Sequence, residues 1–160
     1  MLDVEGPAST DILATCRELG VTLVAYAPLG RGLLTSTFAK KEPVTDAKDM
    51  RQAFFPRFME ANRDKNVNLV NQFKALADKK GCSTSQLSIA WLLKQGDDII
   101  PIPGTKKIKY LEENWGALNV HLTDEEEAEI RNFAETAEIA GGCIPPMFED
   151  RKATNTKEEE

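Results

Sequence analysis

Long hydrophobic runs and closely spaced cysteines are both missing from this chain of 160 residues. Its apolar stretches, such as VTLVAYAPLG at 21–30, are much shorter than the roughly 20 residues that a transmembrane helix needs. The three cysteines, Cys16, Cys82 and Cys143, are odd in number and widely spaced, which argues against a disulfide framework and against a zinc site. The first residues have neither the basic nor the apolar segment of a secretory signal. We therefore expect a cytoplasmic protein without a membrane segment or bound metal, with reduced thiols.

Positive charge is also scarce, because 26 acidic residues outnumber 20 lysines and arginines and leave a net charge of −6. This balance disfavours non-specific attraction to nucleic acid or to an anionic membrane surface. The charge is unevenly spread: Lys106, Lys107 and Lys109 form a basic cluster, whereas residues 151–160 form a polar tail that ends in three glutamates. Since the tail offers almost nothing to bury, we predict that it is disordered and that the folded domain covers residues 1–150.

Hydrophobic periodicity predicts helices and two short strands. The predicted order is a helix at 11–19, a strand at 21–26 covered on both faces, a long loop at 37–65, helices at 67–81 and 83–96, a strand at 99–103, and helices at 107–118 and 123–137. Far more residues separate the strands than a hairpin permits, so we expect a parallel α/β arrangement with helical crossovers. Two such strands leave apolar faces and edges uncovered, which indicates an incomplete fold.

Two of the helix starts have the sequence of a capping box, in which a hydroxyl side chain and a residue three positions later bond each other's backbone amide. Ser83 and Gln86 form one candidate, and Thr123 and Glu126 form the other. The acidic run DEEEAE at 124–129 follows the second box. We interpret it as a solvated helix start, where acidic side chains suit the helix dipole, and not as a catalytic pair.

The segment VAYAPLGRGLL at 24–34 places a glycine-flanked arginine directly after a predicted strand. Two interpretations are open. The backbone amides and glycines allow an anion to approach closely, but the same residues suit a tight turn with a solvated arginine.

The segment IIPIPGTKKIKYLEEN at 99–114 is a second candidate for anion binding directly after a strand, and it is the stronger one. Its strand ends in Gly104 and Thr105, and a helix begins beside Lys106 and Lys107. Lysines are unfavourable at the amino end of a helix dipole, so a bound phosphate explains their position better than a solvated pair does. Both segments follow consecutive parallel strands, which is where barrel enzymes hold phosphate after their seventh and eighth strands.

Taken together, these segments resemble the aldo-keto reductase superfamily, in the branch of microbial, fungal and plant reductases related to potassium channel β subunits. The resemblance rests on VAYAPLGRGLLT, FFPRF, GCSTSQLSIAWLL, QGDDIIPIPGTKK and YLEEN, and covers about residues 11–137. It implies the carboxyl-terminal half of a (β/α)8 TIM barrel, with strands 7 and 8, their helices and a terminal helix. It also implies an oxidoreductase that uses NADPH to reduce aldehydes or ketones to alcohols.

Three groups of residues match the family's NADP-binding positions. They are Pro28, Leu29, Gly30 and Arg31 around the pyrophosphate, Gly104, Thr105, Lys106 and Lys107 around the adenosine 2′-phosphate, and Glu113 and Asn114 at the adenine amino group. Two positions depart from the family pattern. Ala27 replaces a common serine, and Tyr110 replaces an arginine or glutamine that contacts the adenosine, so the resemblance leaves the role of Tyr110 open.

No residue of the chain matches the family's catalytic tyrosine, lysine, aspartate and histidine, which lie in the first half of the barrel. Tyr26, Tyr110 and His121 occupy other positions, so we assign no catalytic residue. The chain is then either the NADPH-binding half of a reductase, acting on a small carbonyl substrate once the missing half completes it, or an inactive truncated reductase that binds a nucleotide or a protein. Exposed strand edges also favour self-association or a half-barrel partner.

Overall fold

The structure, a computed structural model, describes residues 12–40 and 49–151, with side chains up to Phe148. The helices in these ranges are α1 Ile12–Glu18, α2 Ser36–Ala39, α3 Arg51–Phe54, α4 Glu60–Lys80, α5 Thr84–Lys94, α6 Ile108–Trp115 and α7 Asp124–Thr136. The strands are β1 Leu23–Ala25 and β2 Ile99–Pro101. The described residues divide into a first unit of 12–40 with 67–137 and a second unit of 49–66 with 138–151.

In the first unit, β1 and β2 form a parallel pair, which confirms the predicted strand direction. Leu23 lies opposite Ile99, and Ala25 lies opposite Pro101. The ladder continues at one end, where the Ile102 amide donates to the Ala25 carbonyl at 3.1 Å. Both strands are shorter than predicted. Proline at 101 and 103 lacks an amide donor, and positive φ at Ala27 turns the chain away after β1.

The two faces of this sheet differ, and the prediction that the first strand is covered on both faces is wrong. Helix α5 packs against β2, and Ile99 is buried. On the alternate positions, Val24 and its partner Ile100 are 55% and 51% exposed, and Tyr26 is exposed as well. The physical reason is that side chains alternate along a strand, and only the face towards α5 is covered among the described residues.

Helix α5 forms the centre of the first unit and packs against β2, α6 and α7. Its residues Leu87, Trp91 and Leu92 are all buried. Phe73 of α4 also enters this core, where its ring and the ring of Phe133 stack with centroids 5.6 Å apart. The core of the unit is therefore helical.

Both predicted capping boxes are confirmed. The Gln86 amide donates to Ser83 Oγ at 3.2 Å, and the Ser83 amide donates to Gln86 Oε1 at 3.0 Å. At α7, the Glu126 amide donates to Thr123 Oγ1 at 3.2 Å, and the Thr123 amide donates to Glu126 Oε2 at 2.9 Å. Each box uses amides that a helix start otherwise leaves without a partner.

The prediction of a long loop at 37–65 needs correction. Helix α4 begins at Glu60, inside the predicted 37–65 loop, and α2 and α3 also fall within or overlap that range; residues 41–48 lie outside the described residues.

Helix α1 forms as predicted, but of its apolar residues only Leu13 is buried, while Ile12 and Leu19 are exposed. Helical spacing predicted the helix correctly without showing whether a partner covers its face.

In the second unit, Asn66 is fully buried and holds two segments together. Its side-chain nitrogen donates to the Arg57 carbonyl at 2.8 Å and to the Ala140 carbonyl at 2.9 Å, and its oxygen accepts from the Ala140 amide at 2.8 Å. Phe58 is buried and lies under the Arg51 guanidinium, 5.3 Å from carbon to ring centroid. Phe58 therefore anchors its turn.

No helix among the described residues is long and apolar enough to cross a membrane. Cys16, Cys82 and Cys143 are half-buried, and burial raises the pKa of the Cys82 thiol. Within 12–40 and 49–151, no group of three or more histidine, cysteine or acidic side chains is placed to hold a metal ion. The predicted disorder of the tail at 151–160 stays a prediction, because the residues beyond Arg151 lie outside the described residues.

Candidate nucleotide-binding site

The two segments predicted to bind a nucleotide leave the same edge of the sheet. Because β1 and β2 are parallel and paired in register, their carboxyl ends lie side by side. The first loop, residues 26–34, follows β1, and the second loop, residues 102–107, follows β2 and leads into α6. Parallel pairing thus brings together two segments that are more than 60 residues apart in the sequence.

The first loop has a strongly curved backbone. Ala27 and Arg31 have φ values of 48° and 58°, a region that side chains other than glycine rarely adopt. The loop closes on itself, since the Gly30 amide donates to the Ala27 carbonyl at 2.8 Å and the Gly32 amide donates to the Leu29 carbonyl at 3.0 Å. These two glycine amides are therefore used inside the loop, as in a tight turn, and are not directed at an anion. The loop instead presents the exposed side chain of Arg31.

A buried hydroxyl from α5 fixes the first loop. Ser88 is fully buried, and its Oγ donates to the Pro28 carbonyl at 2.8 Å. Pro28 is itself buried. Ser88 was not among the predicted site residues. A serine inside the apolar stretch LSIAWLL is nevertheless a signal for a specific polar contact, because buried hydroxyls normally have a partner.

The second loop delivers two lysines to the beginning of α6. Lys107 is the residue immediately before the helix and makes no side-chain cap, and its amide donates to Thr105 Oγ1 at 3.2 Å. Thr105, Lys106 and Lys107 are exposed. The first turn of α6 contains no acidic residue. We call residues 104–110 the basic helix start.

Two lysines of the basic helix start lie near an aromatic ring. Among the described residues, none of Lys106, Lys107 and Lys109 forms an ion pair. Two of them lie over the ring of Tyr110 instead: Lys107 Nζ is 5.6 Å from the ring centroid, and Lys109 Nζ is 6.0 Å from it. The region keeps its positive charge and is able to attract an anion.

The last two predicted residues lie further along the same helix. Glu113 is half-buried, and Asn114 is only 7% exposed. Tyr110 precedes them by three and four residues, so the three side chains share one side of α6. The predicted phosphate residues, at the end of the second loop, and the predicted adenine residues, on α6, therefore follow one another along one continuous segment.

The beginning of α7 has the opposite charge, and we call residues 123–129 the acidic helix start. Its carboxylates pair with lysines of neighbouring helices: Lys94 with Asp124 at 2.8 Å and Lys80 with Glu126 at 2.6 Å. The Lys80 ammonium holds the pKa of Glu126 below its usual value. Lowered carboxyl pKa values do not suit a general acid, and this supports the interpretation of the run as a helix start. His121, just before it, is exposed.

The fold and the position of the candidate site define the class of protein: it has a parallel α/β fold, and its candidate site lies at the carboxyl ends of the strands. The Aldo/keto reductase family matches residues 3–135, and the chain belongs to that family. It is 45% identical over 145 residues to the aldo-keto reductase yakc [NADP(+)] of Schizosaccharomyces pombe, covering 91% of this chain and 42% of that protein. It is 47% identical over 141 residues to the aldo-keto reductase str7 of Strobilurus tenacellus, covering 88% and 41%.

Solved structures agree with this assignment. The glycerol dehydrogenase AKR11B4 from Gluconobacter oxydans superposes with a TM-score of 0.64 at 29% identity, over 77% of this chain and 37% of that one. The thermostable aldo-keto reductase Tm1743 superposes with a TM-score of 0.51 at 25% identity, over 79% and 35%. The fold is therefore part of the family's TIM barrel, and the chain spans about two fifths of the length of the curated relatives it matches.

Proposed function

We propose that this chain is the cofactor-binding, carboxyl-terminal half of an NADP(H)-dependent reductase of aldehydes and ketones, with β1 and β2 as strands 7 and 8 of its barrel. The observation that carries the proposal is the basic helix start, whose lysines have no carboxylate partner among the described residues and lie at the carboxyl edge of a parallel sheet. The name of the relative yakc includes NADP(+), which supports the choice of nucleotide.

The proposed roles follow from charge and position. The 2′-phosphate of NADPH lies at the beginning of α6, where Lys106, Lys107 and the helix dipole all favour negative charge. Gly104 has open space where a Cβ would lie, so it lets the phosphate approach, and Thr105 adds a hydroxyl. These residues distinguish NADPH from NADH, which lacks that phosphate.

The remaining predicted residues bind other parts of the nucleotide. Arg31, carried by the loop of Pro28, Leu29 and Gly30, is placed at the neighbouring strand end to pair with the pyrophosphate. Glu113 and Asn114 offer acceptor oxygens for the adenine amino group. Bound NADPH would supply the hydride for the carbonyl carbon, while this chain supplies binding and orientation and no proton donor.

Nucleotide titration by calorimetry tests the proposal on the chain of 160 residues. NADPH should bind more tightly than NADH, and the double variant Lys106→Glu, Lys107→Glu should lose roughly tenfold to hundredfold in NADPH affinity because both charge-assisted contacts become repulsive. The matched control is Lys65→Glu with Lys74→Glu on α4, which changes the net charge equally. An equal loss in the control, or no preference for NADPH in the unaltered chain, contradicts the proposal.

A second candidate is an inactive module that binds a nucleotide or a protein without turnover. The exposed sheet face at Val24 and Ile100 favours it, because this apolar surface suits a half-barrel partner or a second copy. Loss of NADPH absorbance in the presence of small aldehydes separates the two candidates. Turnover excludes the inactive module, whereas tight NADPH binding without turnover, even with the other barrel half added, excludes the reductase.

A further inference from the structure

The basic helix start has more positive charge than its own helix neutralises. Lys106, Lys107 and Lys109 lie within four residues at the positive end of α6, so they repel one another and the dipole. Glu112 and Glu113 lie three and four residues beyond Lys109, a spacing that normally forms ion pairs. Among the described residues neither pair is present, and the ammonium groups point elsewhere.

Tyr110 occupies the centre of this cluster. Its ring centroid is 5.6 Å from Lys107 Nζ and 6.0 Å from Lys109 Nζ, distances within reach of a cation–π interaction. The Tyr110 amide also donates to the Lys107 carbonyl at 3.0 Å, which fixes the spacing of the two residues. Tyr110 is half-buried, so it is not fully covered by the rest of the protein.

An aromatic ring and a carboxylate hold a lysine with different consequences. A carboxylate neutralises the ammonium and accepts its hydrogen bonds, whereas a ring attracts the charge through its quadrupole and leaves the N–H donors available. A lysine held by a ring has also lost some of its rotamer freedom before a ligand arrives, which lowers the entropic cost of binding.

From this geometry we infer that Tyr110 is a positioning residue that holds Lys107 and Lys109 over its ring for the adenosine 2′-phosphate, and thereby raises the preference of the chain for NADPH over NADH. The inference rests on the proposed function. It gives a role to Tyr110, whose role the family resemblance leaves open. It also assigns this role to the aromatic ring and not to the hydroxyl group.

The test compares Tyr110→Leu and Tyr110→Phe in the full chain, with NADPH and NADH titrated against each. Tyr110→Leu removes the ring and should weaken NADPH binding about two- to fivefold, with NADH affinity unchanged. Tyr110→Phe keeps the ring and should retain the full preference. A merely structural role would lower the affinity for both nucleotides equally, and thermal unfolding of each variant checks the fold.

A second measurement needs no nucleotide. In the unaltered chain and in Tyr110→Phe, the ring current should shift the ε-methylene protons of Lys107 upfield in NMR spectra, and Tyr110→Leu should abolish the shift. If the unaltered chain prefers NADPH and Tyr110→Leu prefers it to the same degree, the inference alone is wrong. If the unaltered chain shows no preference, the proposed function fails and the inference fails with it.

Discussion

Helices α6 and α7 belong to the same unit, yet their amino ends are built in opposite ways. The acidic helix start has a capping box, and its carboxylates pair with Lys80 and Lys94 from neighbouring helices. The basic helix start has no side-chain cap, no acid in its first turn and, among the described residues, no ion pair to its lysines. The first follows what the helix dipole favours, and the second opposes it.

We interpret this difference as a separation between residues that stabilise the fold and residues that the proposed function uses for binding. Where a charge already has a partner within the protein, as at Glu126, a ligand forms no additional ion pair there. Where an unfavourable charge persists at a strand end, as at Lys107, a bound anion offsets its cost. Local disagreement with the rules of helix formation therefore indicates a functional site.

Making the basic helix start resemble the acidic one is expected to have the largest effect. Lys107→Asp places a capping carboxylate before α6, so the free energy of unfolding should rise by about 0.5–1 kcal/mol. The same change should lower NADPH affinity by roughly tenfold or more, because an anion then faces the phosphate. Urea unfolding and calorimetry measure the two effects separately.

The variant Lys107→Asn is the matched control for this change, because asparagine caps a helix without adding negative charge. It should give a similar gain in stability with a smaller loss of affinity. A loss of stability in both variants would show that Lys107 does not destabilise the beginning of α6.

Damage to the acidic helix start should have a smaller effect, and on stability alone. Thr123→Ala removes the hydroxyl that accepts from the Glu126 amide, which should lower the free energy of unfolding by about 1 kcal/mol. Thr123→Ser keeps the hydroxyl and should be close to neutral. Thermal unfolding measures the change, and NADPH affinity should stay constant in both variants; a marked fall in affinity would mean that α7 also serves the binding site.

The features that the sequence predicted correctly are local ones. Ser83 and Thr123 were identified as caps because a capping box is contained within four residues, and the parallel strands followed from their separation. Exposure of Val24 was not predictable, because it depends on which elements pack against the sheet. For the first loop the sequence left two interpretations open, and the glycine amides close the loop as in a tight turn. The sequence could not decide between them, because backbone hydrogen bonding depends on φ and ψ and not on composition.

The sequence suffices to choose the residues of the candidate site but not to predict their contacts. Lys106 and Lys107 were selected because charge and position along the chain are visible in the sequence. The cation–π contacts of Tyr110 and the hydrogen bond from Ser88 to Pro28 were not, because they depend on side-chain direction and on a packing contact across 60 residues. Element type is therefore a local property, whereas the positioning of a site is a tertiary one.

The smallest expected effect concerns acid. The Lys80 ammonium lowers the pKa of Glu126 in the folded protein, so this carboxylate stabilises the fold above its unfolded pKa, and that contribution is lost as the pH falls through about 4.3 and below. Lys80→Met should therefore reduce stability at neutral pH and approach the unaltered chain in acid. Lys106→Met, which removes a lysine without a carboxylate partner among the described residues, should leave the acid dependence unchanged. Urea unfolding across a pH series measures the free energy of unfolding of both variants. If it depended on pH in the same way in both, the ion pair of Lys80 with Glu126 would not stabilise the fold, and the contrast between the two helix starts would be lost.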